Sequence, residues 1–131
     1  MSEEMVIVNM TVNGENVTKT IPVRTHLVDF VRTDLGFTGS HLGCEHGVCG
    51  ACSVRVDGDV VRGCLMLAAQ AEGSEVVTIE GISDSGEISD LQDKFVERNA
   101  LQCGFCTPGM LMTAAELLAQ KTEMSREDIR E

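Results

Sequence analysis

The chain has 131 residues and carries 21 acidic against 10 basic side chains, a formal net charge of −11. Such a surface repels phosphate backbones and anionic lipid, which excludes nucleic acid and acidic membranes as natural partners. Hydrophobic residues make up 43%, enough for one packed domain or two small ones. With aromatics at 3% and neither Trp nor Tyr, the core has to be aliphatic.

The N-terminal Met1-Ser2-Glu3-Glu4 is acidic, where a secretory signal is basic and then apolar. No run approaches the about 20 apolar residues that span a bilayer. The expected location is cytoplasmic, where thiols stay reduced, so six Cys point to metal before disulfides.

Val6–Val12 reads as a strand, Asn13-Gly14 as a type I′ hairpin turn, and Asn16–Val23 as its antiparallel partner, limited by Pro22. Leu27–Leu35 has helical apolar spacing in Leu27, Phe30, Val31 and Leu35, with Thr25 as N-cap and Gly36 as the stop. From Gly39 to Gly50 the chain is too broken by glycine for regular structure. Strands follow at Cys52–Val56 and Val60–Arg62 across an Asp57-Gly58 turn, and another at Glu75–Glu80.

Ser83–Glu87 is polar and without periodicity, a linker. Beyond it the pattern is helical, over Asp90–Arg98, over Pro108–Lys121, and from Ser125 onward. Thr107 is the expected cap of the second helix, with Pro108 at its first position. Ser125 and Asp128 match a capping box. The division that results is α+β: residues 1–80 are β-rich with four Cys, and residues 81–131 are helical with two.

Cys44, Cys49 and Cys52 have the C-x4-C-x2-C spacing of plant-type [2Fe–2S] ferredoxins, and Cys64, twelve positions on, supplies a fourth thiolate. Three thiolates from one loop converge only if the backbone curls tightly, and Gly43, Gly47 and Gly50 permit that. Curling also turns N–H groups inward, toward sulfur. A zinc site, which more often shows two C-x2-C pairs, is the alternative. A Rieske centre needs a Cys-x-x-His half that the sequence lacks. His41 and His46 are read as polar loop residues.

Cys103 and Cys106, in ALQCGFCTPGM, precede a helix start. By itself such a pair serves equally as a redox dithiol, half a zinc site or half a cluster site.

Taken together, GCEHGVCGACSV and LQCGFCTPGM resemble the small iron–sulfur subunits of xanthine oxidase-type molybdenum hydroxylases, and carbon monoxide and furoyl-CoA dehydrogenase small subunits look similar. The resemblance covers essentially the whole chain. It implies a β-grasp ferredoxin-like domain followed by a small helical-bundle domain, each holding a [2Fe–2S] cluster. Cys44, Cys49, Cys52 and Cys64 would hold the first. Cys103 and Cys106 would be the first pair of ligands to the second, and Gln102 would contact molybdopterin. The family completes that second cluster with a downstream C-R-C motif, absent here, so a sequence incomplete at its C-terminal end is the expectation.

The implied function is electron relay, with no substrate chemistry on this chain. Electrons would pass from a large molybdopterin-binding subunit through the clusters to a medium FAD-binding subunit. The alternatives are a free-standing [2Fe–2S] ferredoxin and a zinc-stabilised interaction module.

Overall fold

The computed structural model describes residues 3–120 and 123–130. Strands β1 (Met5–Val12), β2 (Glu15–Pro22), β3 (Ser53–Val56), β4 (Asp59–Arg62) and β5 (Glu75–Val77) form one sheet in the order β2-β1-β5-β3-β4. Only the β1–β5 pair is parallel; the other neighbours are antiparallel. Asn13 and Gly14 both have positive φ, 51° and 85°, as the two-residue turn requires. Asp57 and Gly58 repeat the pattern between β3 and β4.

Along β1 the alternation of side chains puts Val8, Met10 and Val12 inward. They meet Ile21, Val54, Val56 and Val76 from the sheet and Leu27, Phe30 and Val31 from the first helix. Complete burial of an aliphatic or Phe side chain stabilises by about 1.5–3 kcal/mol, so this aliphatic cluster carries the sheet without Trp or Tyr.

Helix α1 (Leu27–Asp29) widens at once into a π-helical turn, Phe30–Asp34. Leu35 N–H donates to the Phe30 carbonyl five residues back, and Gly36 (φ 79°) ends the helix as expected. Its cap is His26 and not Thr25: His26 Nδ1 accepts from Asp29 N–H at 3.2 Å. Thr25 lies one residue early, its own N–H held by the Pro22 carbonyl in the turn out of β2.

The expected strand Glu75–Glu80 ends at Val77, and Ile79–Asp84 forms helix α2. The Asn13 side chain explains the switch. Its Oδ1 accepts from Thr78 N–H and its Nδ2 donates to Thr78 Oγ1, both at 2.9 Å, which satisfies the end of the strand. Ile79 and Ile82 then turn into a second apolar cluster. Ser83 and Asp84, two of the five residues of the linker expected over Ser83–Glu87, are thereby helical.

Helices α3 (Ser89–Glu97), α4 (Thr107–Ala119) and α5 (Arg126–Arg130) follow. Lys121, the expected end of α4, is outside the described residues. Ile79, Ile82, Ile88, Leu111, Met112 and Ala115 form the cluster that unites α2 and α4. Ser125 Oγ accepts from Asp128 N–H at 3.1 Å while Asp128 accepts from Ser125 N–H at 3.0 Å, so the capping box is present. The resulting local bonds hold the Asp128 carboxyl below its usual pKa. Thr107, by contrast, is not a cap. Gly104 (φ 85°) curls the chain early, Cys106 takes the cap position, and the buried Thr107 hydroxyl has no partner.

Candidate metal centre

The segment between the π turn and β3 holds three of the cysteines, and several side chains fix its path. Arg32 donates to the carbonyls of Thr38 (2.8 Å) and Ser40 (2.6 Å). Glu80, at the start of α2, accepts from Gly39 N–H at 2.9 Å. Ser53 N–H and Oγ both donate to the Gly50 carbonyl. The loop is thus tied to the first helix, to β3 and to the helical half.

Within it, Glu45 (φ 57°), Gly47 (φ 85°) and Gly50 (φ 74°) are left-handed, and the backbone wraps around sulfur. The N–H groups of Val48 (3.2 Å), Cys49 (3.3 Å) and His46 (3.5 Å) donate to Cys44 Sγ, and Ala51 N–H donates to Cys49 Sγ at 3.4 Å. His46 itself turns back onto the Cys44 carbonyl, as a polar loop residue would.

Cys64 arrives from β4 through Gly63, which has no room for a side chain: a Cβ there would overlap Val28 Cγ2 and press on the Cys52 carbonyl. Cys52 is close enough to Cys64 to raise its pKa, and Cys44 adds to the effect. The structure therefore brings all four sequence-predicted cysteines of the first constellation together, Cys44 beside Cys49 and Cys52 beside Cys64. All six cysteines are free thiols.

The electrostatics of the two sides differ. Donation from Cys49 N–H, then from His46 N–H, lowers the Cys44 thiol from 9.0 to about 6. Burial pushes the Cys64 thiol up, reinforced by Cys52. In metal-free protein, Cys44 should therefore ionise, and so react, at lower pH than Cys64. Iodoacetamide labelling followed by peptide mapping should show Cys44 modification rising near pH 6, with Cys64 modified only at higher pH.

Among the described residues no three His, Cys, Asp or Glu side chains close on one point as a single ion requires. The nearest thiol neighbours are Cys49 for Cys44 and Cys52 for Cys64.

Cys103 and Cys106 flank Gly104 on the loop before α4, and both are exposed. With Gln102, Asn99 and Leu101 they line a shallow cavity of about 330 Å³. This loop is not remote from the first. The His41 ring stacks on Phe105, centroids 4.6 Å apart, and its Nδ1 lies 2.6 Å from the Phe105 carbonyl. Gly109, in the first turn of α4, rests directly on the Gly50 carbonyl. Spacing and composition do not mark His41, Phe105 and Gly109 as links between the loops. The one signal in the sequence was a glycine inside a helical pattern, which commonly marks a close approach.

A mixed sheet that presents a C-x4-C-x2-C loop, closed by a fourth thiol and joined to a helical C-x2-C unit, defines the [2Fe–2S] electron-transfer class. A family model described as a 2Fe-2S iron-sulfur cluster binding domain matches residues 10–78, and one described as a [2Fe-2S] binding domain matches residues 78–131. The chain is 51% identical over 107 residues to caffeine dehydrogenase subunit gamma of a Pseudomonas species, covering 82% of this chain and 64% of that one. It is 47% identical to the nicotine 6-hydroxylase small subunit of Paenarthrobacter nicotinovorans, covering 96% and 76%. Quinoline 2-oxidoreductase from Pseudomonas putida 86 superposes with a TM-score of 0.89 at 44% identity, over 96% of this chain and 78% of that one.

The chain belongs to the family of iron–sulfur small subunits of xanthine oxidase-type molybdenum hydroxylases. It spans about two thirds to four fifths of the length of these relatives.

Proposed function

We propose that this chain is the electron-relay subunit of a molybdenum-containing hydroxylase, carrying single electrons from a large molybdopterin-binding subunit toward a medium FAD-binding subunit. The observation that carries the reading is the docking of the two cysteine loops on one another: a single-centre ferredoxin has no use for the second. The family membership favours it over a free-standing carrier, since the relatives are named as subunits.

Cys44 and Cys49 would hold one iron of the first cluster, and Cys52 and Cys64 the other. When bound, a [2Fe–2S] cluster accepts and gives up one electron at a time without bond chemistry on a substrate. The donor set fits: four thiols, with amide N–H groups already directed at two of the sulfurs. Those amides stabilise negative charge on sulfur and so tune the potential. Glu45 in its left-handed turn and the Arg32 and Glu80 ties keep the amides aimed.

Cys103 and Cys106 would supply half the ligands of a second cluster. A [2Fe–2S] cluster takes four ligands, so this pair would need two further ones. On this division, residues 1–80 are a β-grasp ferredoxin-like domain and residues 81–131 belong to the second domain. Gln102, exposed at the mouth of the Cys103/Cys106 cavity, would reach the molybdopterin. A chain whose cysteines serve as metal ligands belongs where thiols stay reduced, which favours the cytoplasm, and among the described residues no helix is long and apolar enough to cross a membrane.

The test is iron and acid-labile sulfide per chain in the assembled complex, with EPR of the dithionite-reduced protein. Two distinguishable [2Fe–2S] signals are expected. A single signal would leave the relay without its inner station, and iron-free protein from an anaerobic preparation would sink the reading.

A further inference from the structure

We propose that His41 is the bridge through which an electron crosses between the two cysteine sites, by way of one hydrogen-bonded path from Cys106 to Cys52. The inference rests on the two-cluster reading above and adds to it the residue that connects the stations.

The path can be followed atom by atom. The Phe105 carbonyl carbon is bonded to the nitrogen of Cys106. A carbonyl oxygen only accepts, so at 2.6 Å His41 Nδ1 must carry the proton and donate to it. From the ring the path is covalent to the His41 backbone N–H, which donates to the Ala51 carbonyl at 3.2 Å. The Ala51 carbonyl carbon is bonded to the nitrogen of Cys52. Two hydrogen bonds, with covalent bonds everywhere else, span two loops that lie 64 residues apart in sequence.

Other features keep this path in place. The ring stack on Phe105, with planes 14° apart, fixes the imidazole so that Nδ1 faces the carbonyl. Arg32, bound to the Ser40 carbonyl, holds the residue just before His41. The packing of Gly109 on the Gly50 carbonyl sets the distance between the loops but offers only a van der Waals contact.

In such a step one electron would pass from a centre held in part by Cys103 and Cys106 to one held by Cys44, Cys49, Cys52 and Cys64. No bond forms or breaks, and the Nδ1 proton stays on His41. On the proposed relay the electron would be supplied by a reduced molybdenum site and removed by a flavin on the partner subunits. His41 is a positioning residue, since it acts between the cysteines and touches no substrate.

Two variants of similar bulk separate the hydrogen bond from mere packing. His41→Leu fills the space against Phe105 without an N–H, whereas His41→Gln restores a side-chain N–H donor. Both would be prepared in the assembled complex, and rapid-freeze EPR after flash reduction by a one-electron photoreductant would follow electron redistribution between the two centres. The expected result is two intact signals in each variant, a several-fold slower redistribution in His41→Leu, and a rate near the unsubstituted one in His41→Gln. Equal rates in the two variants, or equal loss of a centre from both, would overturn the bridge. Absence of a second centre from the unsubstituted complex is a different failure, which removes the relay reading along with it.

Discussion

Replacing Cys44 by Ala should remove the first [2Fe–2S] cluster while leaving the sheet folded. Three N–H groups converge on this sulfur, and they lower its pKa to about 6. It is thus a thiol prepared to bind a metal as thiolate. Without it only three ligands remain, and a cluster that takes four does not persist. The abandoned N–H groups belong to exposed residues, so water satisfies them and the fold survives. The apolar cluster under the sheet, from Val8 to Val76, does not include the loop.

The expected outcome is iron lowered by one [2Fe–2S] unit per chain, loss of one EPR signal, and flavin reduction at background level. Far-UV circular dichroism should stay near that of the unsubstituted protein. Retention of both signals in Cys44→Ala would show that another residue takes the ligand position, and the assignment of this site would have to be abandoned.

The second large effect is expected at Gly109, where two terms of opposite sign meet. In an isolated helix, Gly→Ala stabilises by about 1 kcal/mol, because Ala gives up less backbone freedom. Here the added Cβ would overlap the Gly50 carbonyl, with Gly50 C and Ala51 Cα close behind at 3.0 and 3.1 Å. These are backbone atoms of the loop that presents Cys49 and Cys52, and they cannot rotate away. Forcing volume into a packed contact destabilises by about 1–3 kcal/mol, so the clash outweighs the propensity gain.

Helix α4 must therefore lift from the loop. That movement strains Met112, fully buried, and the bond from Val60 N–H to Glu116 Oε2 at 2.7 Å. Gly109→Ala should lower the unfolding midpoint in denaturant and speed amide exchange in α4. It should also weaken the second EPR signal while sparing the first. Unchanged exchange in α4 would mean the helix does not bear on the loop in solution.

Much of this molecule is legible from sequence because its local signals are strong. Asn13-Gly14 and Asp57-Gly58 specify two hairpins, since few other dipeptides adopt positive φ twice. The spacing of Cys44, Cys49 and Cys52 names a cluster loop, because three thiolates on one short glycine-broken segment have few other uses. Cys64 follows a hairpin that must turn it back. The Ser125–Asp128 capping box is likewise a local matter.

What the sequence could not settle was where local preferences lose to distant partners. Glu75–Glu80 reads as one strand, yet Asn13, 65 residues away from Thr78, captures that residue and ends the strand there. Thr25 and Thr107 are good caps by type, but the turns before them move each cap by one residue, to His26 and Cys106. Identity and spacing of the ligands are properties of short segments, so the sequence alone determined what kind of centre this protein builds. Only the tertiary structure decided that its two cysteine loops touch, through His41 on Phe105 and Gly109 on Gly50, because those contacts depend on how α4 packs against a sheet formed by residues far away in the chain.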